Sequence, residues 1–168
     1  MTTLTKTPAS PKTPAKPKPA PAAKDAIALL KADHGMVSGL FADYEKTQSS
    51  NKKKAIVAEI CSELRAHVQI EEEIFYPAVK AALKDKLLVP EAMVEHASLK
   101  DLIAQIEGVY PDGELYDAKV KVLSEYVKHH VKEEQNEMFP KAKATSLDLV
   151  ELGARMAARK AVLLAAHR

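Results

Sequence analysis

A chain of 168 residues, 46% hydrophobic and 29% charged with a formal net charge of +2, is long enough for one soluble domain with a real core. Only 5 Gly and no Trp argue against a turn-rich β sandwich or barrel, and one Cys, Cys61, excludes an internal disulfide framework and reads as a small buried side chain in a reducing compartment. No stretch approaches the roughly 20 apolar residues of a membrane span, and the opening "MTTLTKTPASPK" lacks the apolar segment of a secretory signal, so a cytoplasmic location is expected.

Residues 1–24 come first in chain order. They hold six of the 10 Pro and five Lys (6, 12, 16, 18, 24) with no acid. This composition predicts a disordered or polyproline-like tail, a solvated extension with scope for a weak contact with nucleic acid or acidic surfaces. The body, 25–168, has 20 basic and 23 acidic residues, so the slight positive charge belongs to the tail. From Asp25 onward the pattern is helical. Expected helices run over about 25–47, 51–85, 90–109, 114–143 and, shorter, 147–166. "TQSSN" separates the first two, with Ser50 or Asn51 as a cap; Pro90 suits a first helical position; "YPDG" is a turn; Ser146 is a cap for the last helix. Long helices with short links predict an all-α, antiparallel up-down four-helix bundle, with the last helix covering one end through Leu149, Leu152 and Met156.

Each long helix carries an inward stripe with steps of three and four. In order these are Ile27, Leu30, His34, Val37, Phe41; then Ile60, Leu64, His67, Glu71, Phe75; then Ala92, His96, Leu99, Ile103; then Val120, Leu123, Val127, His130, Glu134, Met138. Four His and two Glu interrupt otherwise apolar faces. The spacing of four places His67 with Glu71, and His130 with Glu134, on one face about 6 Å apart along the axis. A single histidine on such a face is more often a hydrogen-bonded core residue than a ligand. Here the pattern H…H-x-x-x-E occurs twice, with gaps of 33 residues (His34 to His67) and 34 (His96 to His130). Buried carboxylates without partners cost several kcal/mol, and a multivalent cation resolves that cost. The neighbouring pair His129 and Glu133 has the same spacing but sits about 100° away. In the alignment of "HVQIEEEIFYP" with "HVKEEQNEMFP", Glu134 matches Glu71 and Pro140 matches Pro77, so His129 and Glu133 are expected towards solvent. Glu72 and Glu73 read as surface charge, Glu72 with a second reading as support behind the ligands.

Six donors could fill one octahedral ion, but their spread along the bundle suits two ions about 3.5–4 Å apart with both Glu bridging. That leaves coordination positions for water, oxide or a small exogenous ligand. The imidazole–carboxylate set suits iron or manganese, and zinc also binds such donors. Tyr126 stands four residues before His130, where the other half has Glu63. It has two readings, a metal neighbour or open-position ligand, and a tyrosine packed with its hydroxyl at the bundle edge. Tyr44 and Tyr76 are lesser candidates. No Gly-rich phosphate loop, G-x-S-x-G, C-x-x-C or H-E-x-x-H is present.

The blocks "LLKADHGMVSGLF", "HVQIEEEIFYP", "EHASLKDL" and "HHVKEEQNEMFP", followed by "DLVELGARMAARKAVLL", resemble in order the bacterial hemerythrin-like HHE cation-binding domains over residues 25–168. That resemblance implies a four-helix bundle around a non-haem di-iron centre, oxo- or hydroxo-bridged, that binds O2 or a related ligand such as NO or peroxide for sensing, storage or stress response. An alternative is a peroxidase, catalase-like or oxidase enzyme, its redox partner unidentified. Carried over position by position, the ligands are His34, His67, Glu71, His96, His130 and Glu134. Oxygen-carrying hemerythrins have a further His where this chain has Lys100, and take their last carboxylate from an Asp further along rather than from the position of Glu134, which sets the chain apart from simple O2 carriage.

Overall fold

The computed structural model describes residues 24–166; the expected tail lies, but for Lys24, outside the described residues. Helix α1 spans Ala26–Lys46, with the Asp25 carboxylate accepting from the Ala28 N–H at 2.7 Å as N-cap. Helix α2, Ser50–Ile70, is capped by Ser49, one residue before the expected position. Two helices join the rod end to end: a π-helical turn, π1 (Glu71–Phe75), and α3 (Tyr76–Ala82). Then come α4 (Leu88–Ile106), α5 (Glu114–Glu133), a second π-helical turn π2 (Glu134–Met138), α6 (Phe139–Lys143) and α7 (Leu149–Ala166). Among the described residues there is no strand.

The expected all-α bundle is therefore present, with three local differences. The second rod stops at Ala82, short of residue 85. Pro90 sits within the first turn of α4, where its missing N–H would have had no intrahelical partner in any case. Asp148, whose carboxylate accepts from the Glu151 N–H at 2.9 Å, caps α7 in place of Ser146. The "YPDG" turn ends at Gly113, whose φ of 148° suits glycine alone.

Both π-helical turns have a chemical cause. Pro77 and Pro140 lack an N–H, so the carbonyls four residues earlier lose their α-helical partner. The turn widens instead: the Tyr76 N–H bonds to the Glu71 carbonyl, and the Phe139 N–H to that of Glu134, each five residues back. The extra residue per turn rotates everything after it. In an unbroken helix Tyr76 would stand about 140° around from Glu71. The widened turn brings it, and its counterpart Phe139, back onto the inner face, where both are buried.

Helix α1 packs on α2, α4 packs on α5, and fewer contacts join α2 to α4 and α1 to α5. Two apolar clusters fill the bundle. One joins the start of α1 (Ile27, Leu30) to Phe75, Phe139 and Met156; the other joins Val37 and Phe41 to Ile60, Leu64, Ile103 and Leu123. The layer of His34, His67, His96 and His130 lies between them. Helix α7 does more than cover an end. It runs along α1 and α2 through buried Leu152, Met156 and Leu163, and Lys160 reaches Asp33 and Glu63 at 2.7 and 2.9 Å.

At Gly153 α7 lies against the backbone at the start of α1: a Cβ there would run into the Lys24 carbonyl oxygen and come within 2.7 Å of the Ala26 nitrogen. Gly39, by contrast, is helical with nothing within 4 Å of a Cβ. Gly153→Val should therefore destabilise the fold by about 1–3 kcal/mol, while Gly39→Ala should stabilise it by about 0.5–1 kcal/mol. Thermal unfolding of the two variants, followed by circular dichroism, checks both signs.

Candidate metal centre

All six expected donors converge. Glu71 is 0%, Glu134 1% and His96 0% exposed, and His34, His67 and His130 are buried. Each imidazole turns Nε2 inward. The carboxylate of Glu71 reaches His67 Nε2 and His96 Nε2, both at 3.3 Å; that of Glu134 reaches His34 Nε2 at 3.2 Å and His130 Nε2 at 3.6 Å. Every carboxylate thus touches one imidazole from each half of the bundle. The donors form two groups, His34–His67–Glu71–Glu134 and Glu71–His96–His130, which share Glu71.

The site is not at rest as an ordinary hydrogen-bonded core. His34 Nε2, His67 Nε2, Glu71 Oε1 and Glu134 Oε2 are buried without a hydrogen-bond partner, although they point at one another. Buried polar atoms are nearly always satisfied, and four orphans aimed at one centre are the mark of missing cationic charge. The titration behaviour agrees. Burial, and then the charge of Glu134, push the Glu71 carboxyl well above the usual range. Burial opposes ionisation of Glu134 too, but the close approach of the His34 imidazole and the charge of His130 hold it low. Burial, then the neighbouring charge of His130, takes His96 down to about 4, and burial lowers His67. His67 and His96 are thus held in the neutral state that a metal needs, whereas Glu71 would release a proton on binding one, and His130, held by Glu95, is raised.

The outward Nδ1 atoms are held as well. His67 Nδ1 lies 3.3 Å from Asp33, His130 Nδ1 2.6 Å from Glu95, His96 Nδ1 3.1 Å from Glu72, and His34 Nδ1 3.0 Å from the Gln135 amide. The three carboxylates, by accepting from Nδ1–H, fix the tautomer and ring orientation of a ligating histidine; the Gln135 amide does so for His34 when its oxygen, and not its nitrogen, is turned to Nδ1. They also follow the internal repeat. Asp33 and Glu95 each precede the first histidine of their half and hold the second; Glu72 and Gln135 each follow a central Glu and hold the first histidine of the opposite half. Glu72 accordingly supports the site, whereas Glu73 pairs with Arg159 on the surface at 2.7 Å. His129 and Glu133 face outward as expected.

Two tyrosine expectations need correction. Tyr126 is 49% exposed, so the reading as a metal neighbour fails, and the side chain stands at the bundle surface and is not packed within it. Its counterpart Glu63 pairs with Lys160. Tyr44 sits far along the bundle, donating to Asp117 at 2.5 Å. The tyrosine at the centre is Tyr76. Its hydroxyl donates to Glu134 at 2.8 Å and lies 3.2 Å from His96 Nε2, 3.4 Å from Glu71 and 3.5 Å from His130 Nε2. The counterpart Phe139 stacks on His34 with ring centroids 5.9 Å apart. Helical periodicity hides this pair, because the π-helical turn changes the register; the prolines at 77 and 140 were the available signal.

Comparisons with known proteins agree with this geometry. Residues 25–142 match the family model described as the Hemerythrin HHE cation binding domain. An uncharacterized protein of Mycobacterium tuberculosis is 28% identical over 139 residues, covering 80% of this chain and 84% of that one. A protein of Nostoc sp. named as a DNA nickase is 27% identical over 111 residues, 66% of this chain; the match spans only 31% of that protein's length. The crystal structure of a hemerythrin HHE cation-binding domain-containing protein from Mycobacterium kansasii superposes with a TM-score of 0.72 at 28% identity, covering 85% of this chain and 89% of that one. With the matched region spanning most of the chain, and the histidines and glutamates gathered inside a helical bundle, this protein belongs to the hemerythrin HHE cation-binding domain family.

Proposed function

We propose that this chain holds two iron ions and uses them to bind O2 or a related small ligand, NO or peroxide, in the cytoplasm. The observation that carries the reading is the set of four orphaned donor atoms on His34, His67, Glu71 and Glu134. With Glu71 shared by both donor groups and Glu134 touching His34 and His130, two ions with bridging carboxylates answer every one of them. Manganese or zinc would also accept the donors; the mixed imidazole–carboxylate set favours iron over zinc, which prefers tetrahedral closure. When bound, the ion pair supplies redox-active coordination positions for a small molecule.

Size limits the ligand. An apolar cavity of about 10 Å³ beside His34, His67 and His130 is walled by Val37, Leu64, Leu99 and Val127, close to the least volume that holds one water. It suits a diatomic molecule or peroxide and no larger substrate. Tyr76 belongs to the donor set on this reading. Adjacent donors on a six-coordinate ion stand about 3 Å apart, from bond lengths near 2.1 Å, and the Tyr76 oxygen is 2.8–3.5 Å from four donors. The same hydroxyl supports the second reading, a peroxide-consuming or oxidase enzyme, because it places an O–H among the ligands where reversible carriage needs none. The five lysines of residues 1–24, together with a relative named as a DNA nickase, support a weak contact of that segment with nucleic acid or another acidic surface.

Three measurements test these assignments. Glu71→Ala and Glu134→Ala should each lose at least one ion per chain by elemental analysis, and two retained ions in both variants would refute the bridges. Tyr76→Phe should keep its ferric ions but lose a phenolate-to-iron absorption band in the visible; an unchanged spectrum removes Tyr76 from the ligand set. Mixing the reduced protein with O2 and then with peroxide separates the two readings. A reversible spectral change without turnover supports binding, and sustained gas evolution from peroxide supports the enzyme.

A further inference from the structure

The register that buries His130 and Glu134 repeats one residue earlier on the outside. His129 Nε2 lies 3.3 Å from Glu95 Oε1 and 3.2 Å from Glu133 Oε1, the separation that adjacent donors on one cation take, about 3 Å. The side chains of His129, Glu95 and Glu133 are 64%, 20% and 34% exposed. Among the described residues three groups of histidine and carboxylate converge this closely; two are the buried ones and this is the third.

Charge sets the third group apart from other surface clusters. Three carboxylates stand behind ligand histidines. Asp33 is matched by Lys160 at 2.7 Å, and Glu72 by Lys100 at 2.7 Å. Glu95 has no lysine or arginine among its described ion pairs; it faces His129 and a second carboxylate, Glu133. Where its two counterparts meet a lysine, Glu95 meets histidines, and His129 offers an exposed, metal-ligating nitrogen. Glu95 also links outside to inside, since its other oxygen accepts from His130 Nδ1 at 2.6 Å. The buried donors are 7% exposed or less, so an ion bound for them has to cross the bundle wall, and Glu95 spans that wall between His129 and His130. A nitrogen and carboxylate oxygens select a transition-metal ion over magnesium or calcium.

We propose that Glu95, His129 and Glu133 form a third, exposed site that takes up a divalent transition-metal ion and stages it for the buried pair. The staging rests on the di-iron reading; the exposed site does not. Cobalt(II) added to the iron-loaded protein should give a third ion per chain with its own visible absorption, absent in His129→Ala and Glu133→Gln. Metal-free protein mixed with ferrous ion should fill its buried centre several-fold more slowly in both variants, yet reach the same two ions. A wild-type chain that takes no cobalt, or variants that load at the wild-type rate, overturn the proposal. If neither wild type nor variants retain iron, the di-iron reading has failed, and the cobalt count alone decides the exposed site.

Discussion

Two carboxylates, Glu71 and Glu134, stand almost fully enclosed in the middle of an apolar bundle, and the rest of the molecule is arranged around them. Each ionised carboxylate in such surroundings costs several kcal/mol even after relaxation, and two side by side repel as well. Hydrogen bonding among the neighbours relieves only part of this: Tyr76 donates to Glu134, while Glu71 Oε1 and Glu134 Oε2 have no donor. Apolar residues of similar size would make a more stable core. The arrangement makes physical sense as a receptacle for concentrated positive charge, set between two apolar clusters that carry the stability of the fold.

The twofold repeat extends beyond the ligands. Each half supplies two histidines, a central Glu, a carboxylate that precedes the first histidine, and a proline that opens a π-helical turn. The symmetry is broken among the groups around the buried histidines. Tyr76 faces His96 and His130, while Phe139 covers His34; Glu72 supports His96, while Gln135 supports His34. The His96–His130 side therefore gains a phenol oxygen and two supporting carboxylates, Glu72 and Glu95, where the other side has Asp33 and the Gln135 amide. The apolar cavity is bordered by His34, His67 and His130.

Helical periodicity made the bundle and the convergence of the six buried histidines and glutamates legible, because both depend on the same 3.6-residue repeat, and the matched spacing of two H-x-x-x-E units separated that buried set from the outward pair His129 and Glu133. What escaped was set by deviations from that repeat. Tyr76 lies five residues after Glu71, a separation that points away from the site in an α-helix and towards it across a π-helical turn. Asp33 and Glu95 sit one residue before a ligand and reach sideways to the neighbouring helix, a contact that depends on interhelical rotation and not on spacing along one chain. Lys160 escaped for a similar reason, since the docking of α7 alongside α1 depends on shape at Gly153.

The most direct test of two ions held between Glu71 and Glu134 is anomalous X-ray scattering at the iron absorption edge from crystals of the protein purified from its native host. The account predicts two peaks about 3.5–4 Å apart, one beside His34 and His67, the other beside His96 and His130. A single peak, or density showing only water among the four imidazoles, would contradict it.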